Sequence, residues 1–425
     1  MKIGVHSRVL ALAAGAILSL VQATAGNKET VVKTGMSFVP FPVLGFDGAK
    51  GVLFGAMMNV YDFGDGSTYP NPRSGAYLEA SGYTGGSKTF VISYDSGSFI
   101  PGVRMNVASS FCADKAMEFF GFGGRQTFYD KSASDGFYKY DRSTFNVKAD
   151  FSGKISGAWS WEAGCHFNRF TVKDFGFKEG EPEISLFGLY KKWGIIQSGE
   201  SSRYNSSALR VGLVYDTRDY EGVPTKGVLA GAHLIAAHRF LGSTESYLKV
   251  HTSLRQYIPL VKESLTFAYR LDYQEFLGDA PWYVIPFYTP GGPVYDNVAL
   301  GGFRSVRGLL YNRVEGSAIG FANAELRWKF AGFTLFKQDI GLMVSGFCDG
   351  ISALKSFVLT NRTGAFPALY SKYIDTSRGD SIHLSAGAAL KLILNRNFVL
   401  NIEYAHALSA QDGAGVLYFN TGFYF

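Results

Sequence analysis

Two arginines stand among three glycines in residues 301–310, GGFRSVRGLL, and this segment carries the residue types best suited to a fixed charge interaction. A guanidinium group can bind a carboxylate through two parallel hydrogen bonds, which fix orientation as well as distance. Glycines on both sides of Arg307 allow the tight backbone turns that other residues resist. The spacing therefore predicts a sharp reversal of the chain that displays an arginine.

No catalytic pattern stands out elsewhere in the sequence. The histidines form no HExxH motif, and no GxSxG elbow occurs. Cys112, Cys165 and Cys348 are far apart and odd in number, so we interpret them as buried or lipid-facing small residues, not as a disulfide framework or a zinc site. We expect no enzyme activity, no metal and no cofactor, although a catalytic set assembled from distant strands remains open.

The first 25 residues predict export. Lys2 and Arg8 precede an apolar run, and residues 23–25, ATA, supply the small side chains that a signal peptidase needs. Without Lys2 and Arg8 the chain has only four more basic than acidic residues, which is too weak a charge to indicate nucleic-acid binding. The mature chain also lacks an apolar stretch of about 18 residues, which a membrane-spanning helix would need.

Alternation of polar and apolar residues with a period of two runs through most of the chain. In residues 318–330, AIGFANAELRWKF, one face is apolar and the other carries Asn, Glu, Arg and Lys. In a membrane barrel the apolar face meets lipid and the polar face lines the lumen. Many such runs exceed the usual soluble strand of about 5 or 6 residues and could cross a bilayer at a tilt. Similar runs lie at 51–62, 74–84, 88–99, 102–112, 139–151, 157–171, 206–217, 227–240, 245–258, 264–277, 337–349, 381–394, 397–408 and 415–425.

The connections between these runs alternate between short and long, as do the periplasmic turns and surface loops of outer-membrane barrels. With that parity, counting back from the last run requires one more strand before 51–62, and residues 35–46 are the candidate. Pro40 and Pro42 suit that strand only to an edge or a seam. We predict an all-β, transmembrane antiparallel barrel of 16 strands. Residues 51–425 form the barrel domain, and residues 26–50 are a short periplasmic segment to which the uncertain first strand would belong.

Two segments outside the runs are interpreted as parts of surface loops. Residues 119–124, FFGFGG, do not fit the dinucleotide motif GxGxxG and precede no βαβ unit. Residues 181–196 carry Pro182 and Glu183 at a suitable helix start, followed by apolar residues at helical spacing. This second segment predicts a short helix, whose role in capping, partner docking or simple loop packing stays open.

Several motifs resemble those of the BamA/TamA superfamily of outer-membrane assembly and translocation barrels. The segment GGFRSVRGLL resembles the VRGF/Y signature of that superfamily, with Val306, Arg307 and Gly308 in place. Residues 209–227 resemble its DxRD…PxxG turn, and Asp349 stands where the family carries an acidic residue at the end of the next ascending strand. The matching turn residues are Asp216, Arg218, Asp219, Pro224 and Gly227.

This resemblance implies a sixteen-stranded barrel whose sixth surface loop folds back into the lumen, with Arg307 held by a carboxylate on a neighbouring strand. Residue parity agrees, because Asp349 and Glu325 both fall on the face opposite the apolar one. We therefore predict Asp349 and Glu325 as the partners of Arg307. The alternative is that Arg307 is a solvated loop residue, which is also our interpretation of Arg304.

The two ends of the chain add further expectations. The last run places Phe423 and Phe425 on its apolar, lipid-facing side, and a terminal aromatic resembles the recognition signal of outer-membrane proteins; an ordinary buried strand end is the alternative. The segment before the first strand is too short for the family's POTRA repeat. We therefore expect a barrel-only form with a separate periplasmic or lipoprotein partner in place of POTRA domains.

Together these features predict a barrel in the outer membrane of a Gram-negative bacterium that helps to insert or translocate polypeptides, or lipids. Its expected partners are outer-membrane lipids and nascent outer-membrane or secreted polypeptides. The mechanism would use a weakly paired seam between the first and last strands, since unpaired strand edges can template an incoming strand. The rival hypothesis is a passive diffusion channel or a surface-display barrel, in which the arginine loop only narrows the pore.

Overall fold

The computed structural model describes most of the chain. The predicted signal peptide lies outside the described residues, as do Arg304 and Phe423. The described residues are 32–47, 50–69, 71–134, 136–176, 184–196, 202–286, 300–302, 305–336, 338–395, 398–422 and 425.

Sixteen antiparallel strands form one sheet in which each strand pairs with its neighbours in the sequence. The predicted all-β fold with 16 strands is thereby confirmed, including the weak first strand with its two prolines. The division of the chain at residues 25 and 50 stays a prediction. The strands are β1 Met36–Asp47, β2 Gly51–Asp62, β3 Ser74–Tyr83, β4 Lys88–Ile100, β5 Val103–Glu118, β6 Lys139–Ser156, β7 Trp159–Asp174, β8 Arg203–Asp216, β9 Gly227–Ala237, β10 Tyr247–Val261, β11 Leu265–Leu277, β12 Ala318–Leu335, β13 Gln338–Lys355, β14 His383–Leu394, β15 Phe398–Ala407 and β16 Gly415–Thr421.

The two faces of the sheet differ in polarity as the alternating pattern predicts. In β12, Leu326 and Trp328 are about half exposed, whereas Glu325 and Arg327 are buried. We call the apolar, exposed side the outer face and the polar, buried side the inner face. The three cysteines are exposed and form no disulfide. Parity places Cys165 and Cys348 on the outer face, whereas Cys112 lies on the same side of β5 as the buried Asn106 and Ala108. Within the described residues, no helix has the length and apolar character needed to cross a membrane.

The longest connections, 119–138, 175–202, 278–317 and 356–382, all leave the sheet at one end, which we call the long-link end; the opposite end is the short-link end. The described residues of these connections form two short α-helices, α1 Leu186–Lys192 and α2 Pro367–Tyr373. The side chain of Ser185 caps α1 by accepting a hydrogen bond from the Gly188 N–H. The short helix expected within 181–196 is therefore present from Leu186 onward.

A buried aromatic cluster joins these connections. Phe119 from the β5–β6 connection meets Tyr190 of α1 edge to face at 5.0 Å between ring centroids, and Phe137 lies 4.9 Å from Tyr373 of α2. The segment FFGFGG, interpreted above as a surface loop, is instead buried through its three phenylalanines, because their rings pack into this cluster. Tyr190 and Trp193 are also fully buried, so the structure favours loop packing as the role of α1.

The first and last strands form the two edges of the sheet. β1 pairs with β2 along 12 positions, and β16 pairs with β15 along seven. Within the described residues neither strand has a second hydrogen-bonded neighbour. The ring of Phe41 in β1 nevertheless lies 5.9 Å from the ring of Phe398, at the start of β15. The edges are therefore close together without a continuous ladder between them.

Candidate functional site

Arg307 lies fully buried against the inner face of β12 and β13. Its Nε and Nη2 atoms donate to the two carboxylate oxygens of Asp349 at 2.8 and 2.9 Å, and its backbone N–H also donates to Asp349. Its Nη1 atom donates to Glu325 at 2.5 Å. The guanidinium carbon stands 3.4 Å from the centre of the Phe347 ring. The structure thus brings together the three residues that the sequence predicts as a set.

Glycines shape the backbone on either side of this arginine. Gly308 has φ +85°, and a side chain there would press against the backbone of Ala405 and His406 in β15, with contacts of 3.1 to 3.2 Å. The Gly308 N–H donates to the Tyr418 hydroxyl of β16 at 3.0 Å, while Val306 is fully buried. Residues 287–299, 303 and 304 are not described, so the inward folding of the whole sixth surface loop stays a prediction.

The charge cluster is larger than the sequence indicates. Lys391 lies 3.4 Å from Glu403 and 3.7 Å from Glu325, and the Arg327 Nε donates to Glu325 at 2.7 Å. Glu403 also accepts a weak 3.5 Å hydrogen bond from Arg307. Three cations therefore face three carboxylates, and all six side chains are at most 1% exposed: Arg307, Arg327, Lys391, Glu325, Asp349 and Glu403.

Sequence analysis missed Arg327, Lys391 and Glu403 as members of this site. The available signal was parity, since each lies on the polar face of its strand, but parity does not show which inward residues meet. The contacts of this cluster connect the segment around Arg307 to several strands. Through the carboxylates and Tyr418, the segment around Arg307 contacts β12, β13, β15 and β16. This segment therefore links the strands that lead up to β16, the last strand and one edge of the sheet.

Phe425 does not continue the apolar outer face that the sequence predicts. Gly422, near the end of β16, has φ +83°. The Phe425 carbonyl accepts a hydrogen bond from Arg327 at 2.9 Å, and its ring packs against Tyr257 and Ala268 on the inner face. Phe425 therefore lies in a buried position, while Phe423 lies outside the described residues.

The predicted turn motif forms the β8–β9 connection at the short-link end. Arg218 forms a two-pronged ion pair with Asp216, at 3.0 and 2.8 Å. Asp219 accepts hydrogen bonds from the backbone N–H groups of Tyr220, Thr225 and Lys226. These local bonds account for the aspartate and arginine positions, because they close the turn upon itself.

Steric constraints account for two more positions of the motif. At Gly227, φ is +107°, and a side chain would collide with the carbonyl oxygen of Thr217. Pro224 is buried.

The same connection, residues 217–226, contacts two distant sectors of the wall, and we call it the strap. On one side, Glu221 accepts two hydrogen bonds from Arg104 of β5, at 3.0 and 2.9 Å. On the other side, Val223 packs against a buried cluster of Met343, Ile393 and Val399 from β13, β14 and β15. The strap therefore reaches from β8 and β9 to inner-face residues beside the β15–β16 edge.

Glu315, just before β12, is a buried carboxyl whose two oxygens have no hydrogen-bond partner among the described residues. Burial raises the pKa of Glu315 well above its ordinary value, and attraction to Arg142 opposes this shift. A carboxyl with a raised folded-state pKa is most favourable below its unfolded pKa of about 4.3 and destabilises the fold as pH rises toward the folded value.

We expect Glu315→Gln to remove a fall in stability with rising pH, because the amide cannot ionise. The test is the temperature at which heating shifts the gel mobility of the folded barrel, measured from pH 5 to pH 8. This temperature should fall with rising pH in the wild type and change less in the variant. The exposed Glu263 supplies a matched control, and Glu263→Gln should follow the wild-type slope. Identical slopes for the wild type and Glu315→Gln would contradict a raised pKa at Glu315.

Comparison with known proteins agrees with this architecture. A model of the Omp85 superfamily domain matches residues 71–425. The chain belongs to the Omp85 superfamily. The resemblance inferred from the arginine and turn motifs is thereby confirmed, and family membership indicates an outer-membrane β-barrel of the insertion and translocation class.

Similar solved structures show the same fold at low sequence identity. BamA from Haemophilus ducreyi lacking POTRA domains 1–3 aligns with a TM-score of 0.53 and 19% identity, over 92% of this chain and 70% of that one. CdiB from Escherichia coli aligns with a TM-score of 0.52 and 11% identity, over 94% of this chain and 63% of that one. The chain thus spans less than two thirds of CdiB. No curated protein sequence matches it significantly.

Proposed function

We propose that this Omp85 barrel inserts or translocates polypeptides at the outer membrane through a seam between β1 and β16. The observation that carries the proposal is the pair of strand edges without a hydrogen-bonded ladder between them in the described residues. Unpaired N–H and C=O groups are unfavourable in lipid, and an incoming strand can satisfy them. Opening of the seam would therefore be coupled to strand addition.

The composition of β1 supports a weak edge. Pairing with β2 continues without a register shift through Pro40 and Pro42. The missing N–H donors of two prolines spaced by two residues face the same side of the strand, so uninterrupted pairing with β2 places the gaps at the free edge. That edge can accept hydrogen bonds but donates fewer of them, which limits closure with β16.

The opposite side of the seam is braced. The segment around Arg307 contacts β12, β13, β15 and β16, and the Leu310 N–H donates to the Asp412 carbonyl in the β15–β16 connection. We infer that these five strands, β12 to β16, move as one wall and that separation occurs at the β1 side. The arginine cluster would thus keep the last strand in place while its edge is exchanged.

The long-link end supports this proposal over passive diffusion. Its aromatic cluster draws buried side chains from all four of the longest connections. A cluster of that kind packs against itself and stabilises a closed end, whereas a diffusion pore requires an open one. We further propose that this end faces the cell exterior and that a periplasmic or lipoprotein partner delivers substrates at the short-link end.

Tethering the seam tests the proposal directly. We expect oxidation of Phe41→Cys with Phe398→Cys, in a chain with Cys112→Ser, Cys165→Ser and Cys348→Ser, to abolish activity, because β1 could no longer leave β15. Activity is measured as acceleration of folding of a urea-unfolded outer-membrane protein into liposomes that contain the purified barrel. A reductant should restore it.

A control disulfide can be placed between two strands that are already hydrogen-bonded to each other. Leu390 and Ile402 are directly opposite in β14 and β15, so their disulfide should leave activity unchanged. Full activity of the oxidised Phe41→Cys, Phe398→Cys variant would contradict a mechanism that requires the seam to open. Large, steady, ungated conductance together with no acceleration of folding would instead favour the diffusion channel.

A further inference from the structure

An apolar groove of about 420 Å³ opens on the outer face near the long-link end of β8, β9 and β10. Its walls include Leu209 and Leu248 on the two flanking strands and Ala236 between them. The short β9–β10 connection covers one end through Phe240, whose ring is 78% exposed. Below the groove the surface continues into the exposed side chains of Leu213 and other apolar residues of the lipid-facing side.

Cationic and hydrogen-bonding groups lie at the outer end of this groove. Arg239 stands between two of the lining residues, His238 and Phe240, and is exposed. No ion pair of Arg239 is present in the described part of the chain; the Glu245 carboxylate acts on it only at longer range. On the neighbouring outer-face positions, Arg203 of β8 and Arg169 of β7 are also exposed.

The connection that carries Arg239 is held in a defined shape. The backbone N–H of Arg239 donates to Ser246 at 3.2 Å, and the Phe240 N–H donates to Nδ1 of His238 at 3.2 Å. Because Nδ1 accepts that bond, Nε2 carries the hydrogen of a neutral imidazole and remains a donor. The rings of His238 and Phe240 lie 4.6 Å apart.

We propose that this groove binds one acyl chain of a phosphorylated lipid from the leaflet at the long-link end, with the phosphate held by Arg239 and His238 and by Arg203 on the adjacent strand. The position on the outer face makes the occupant a membrane component, since only lipid reaches this surface. Its apolar walls accept hydrocarbon, and exposed arginines on the connection and on the neighbouring strands favour an anionic headgroup over a zwitterionic one. Arg169, paired with Asn205 at 3.1 Å, extends the same cationic surface.

This lipid site lies on the wall opposite the seam in strand order, and it does not depend on the insertion activity. A lipid bound across β8, β9 and β10 would bridge three strands at the level of the headgroups. It should therefore stabilise the folded barrel, because a ligand that binds only the folded state raises its stability by mass action. The effect is expected in purified protein without any substrate.

Titration with lipid A, a phosphorylated acylated glycolipid, tests the site in detergent micelles. We expect lipid A to raise the temperature of the heat-induced mobility shift, and inorganic phosphate and dephosphorylated lipid A to have little effect. Arg239→Gln and Arg203→Gln should each weaken the apparent lipid affinity about tenfold, the loss of one charge-assisted hydrogen bond. Phe240→Ser should weaken it without changing the preference for phosphorylated over dephosphorylated lipid.

Arg378, an exposed arginine in the β13–β14 connection, provides the matched control, and Arg378→Gln should retain wild-type affinity. Equal affinity of the Arg239, Arg203 and Arg378 variants would overturn the proposal. So would equal stabilisation by dephosphorylated lipid A, which would reduce the groove to nonspecific hydrocarbon contact, or stabilisation by inorganic phosphate alone, which would indicate a soluble anion. Native mass spectrometry of the same samples counts the lipids bound and checks that each variant is folded.

Discussion

Replacing Arg307 with alanine is expected to destabilise the barrel by about 3 to 5 kcal/mol, because it leaves buried carboxylates without their main cation. Asp349 alone accepts three hydrogen bonds from Arg307, two of them from the guanidinium group. Neither Lys391 nor Arg327 forms a direct ion pair with Asp349 within the described residues, so no neighbour replaces the lost charge. Urea unfolding of the purified barrel in micelles measures the change.

Charge balance distinguishes this effect from a packing defect. Arg307→Ala combined with Asp349→Ala should be less destabilising than the sum of the two single variants, since both partners of one contact are removed. Arg104→Ala serves as the control, because Arg104 is about half exposed and its ion pairs should contribute about 0 to 1 kcal/mol. Additive effects, or an Arg307 variant no weaker than the Arg104 variant, would contradict a buried charge cluster.

The sequence predicts the sheet well because strand alternation is a local property. Each long run repeats its polar and apolar choice every second residue, so the core face is specified several times over within one strand. Even β1 is predicted, since the parity of the connections requires a strand where Pro40 and Pro42 weaken the pattern. The same local logic predicts the β8–β9 turn, whose arginine and aspartates bond within 12 residues of one another.

The partners of Arg307 were predictable where a family motif marks the partner, as for Asp349, or where an inward carboxylate lies on the strand that follows the loop, as for Glu325. Arg307 and Asp349 are 42 residues apart and carry such marks, whereas Glu403 lies 96 residues from Arg307 without one. Inward polarity narrows the candidates for Glu403 and Lys391 but does not set the height of a side chain across the lumen. Strand stagger fixes that height, and stagger is a property of the closed sheet rather than of any single strand.

The aromatic cluster escaped prediction for a related reason. Phe119, Phe120 and Phe122 occur in a glycine-rich connection, a composition that usually lies at the surface. Burial comes from α1 and from the β11–β12 and β13–β14 connections, which meet them only after the barrel brings its long-link ends together. An apolar connection could therefore have been recognised as unusual, but its partners could not.

The strap also makes contacts outside the turn, in addition to the hydrogen bonds within the turn motif. A turn needed only to join β8 and β9 could be much shorter, yet residues 217–226 extend to Arg104 on one side and to the cluster around Val399 on the other. Val399 follows Phe398, whose ring meets β1. The strap therefore lies where a polypeptide arriving at the short-link end would approach the seam, and we infer that it must move aside for entry.

Locking the strap is expected to abolish activity without unfolding the barrel. In the cysteine-free chain, oxidised Val223→Cys with Val399→Cys would hold the strap against β15 and block the approach to the seam, so acceleration of outer-membrane protein folding should fall to the level of empty liposomes. Reduction should restore it. Folding of the locked protein is verified by its unchanged heat-induced mobility shift, and disulfide formation by mass spectrometry.

A disulfide inside the strap's own base separates blockage from loss of local flexibility. Thr217 and Val228 face each other where the turn leaves β8 and β9, and the Thr217 N–H donates to the Val228 carbonyl at 2.8 Å. Thr217→Cys with Val228→Cys stiffens the base but leaves the tip free, so activity should persist after oxidation. Retained activity in the Val223–Val399 lock would show that substrates do not pass the strap. Loss in both disulfide variants would instead assign its role to flexibility at the base.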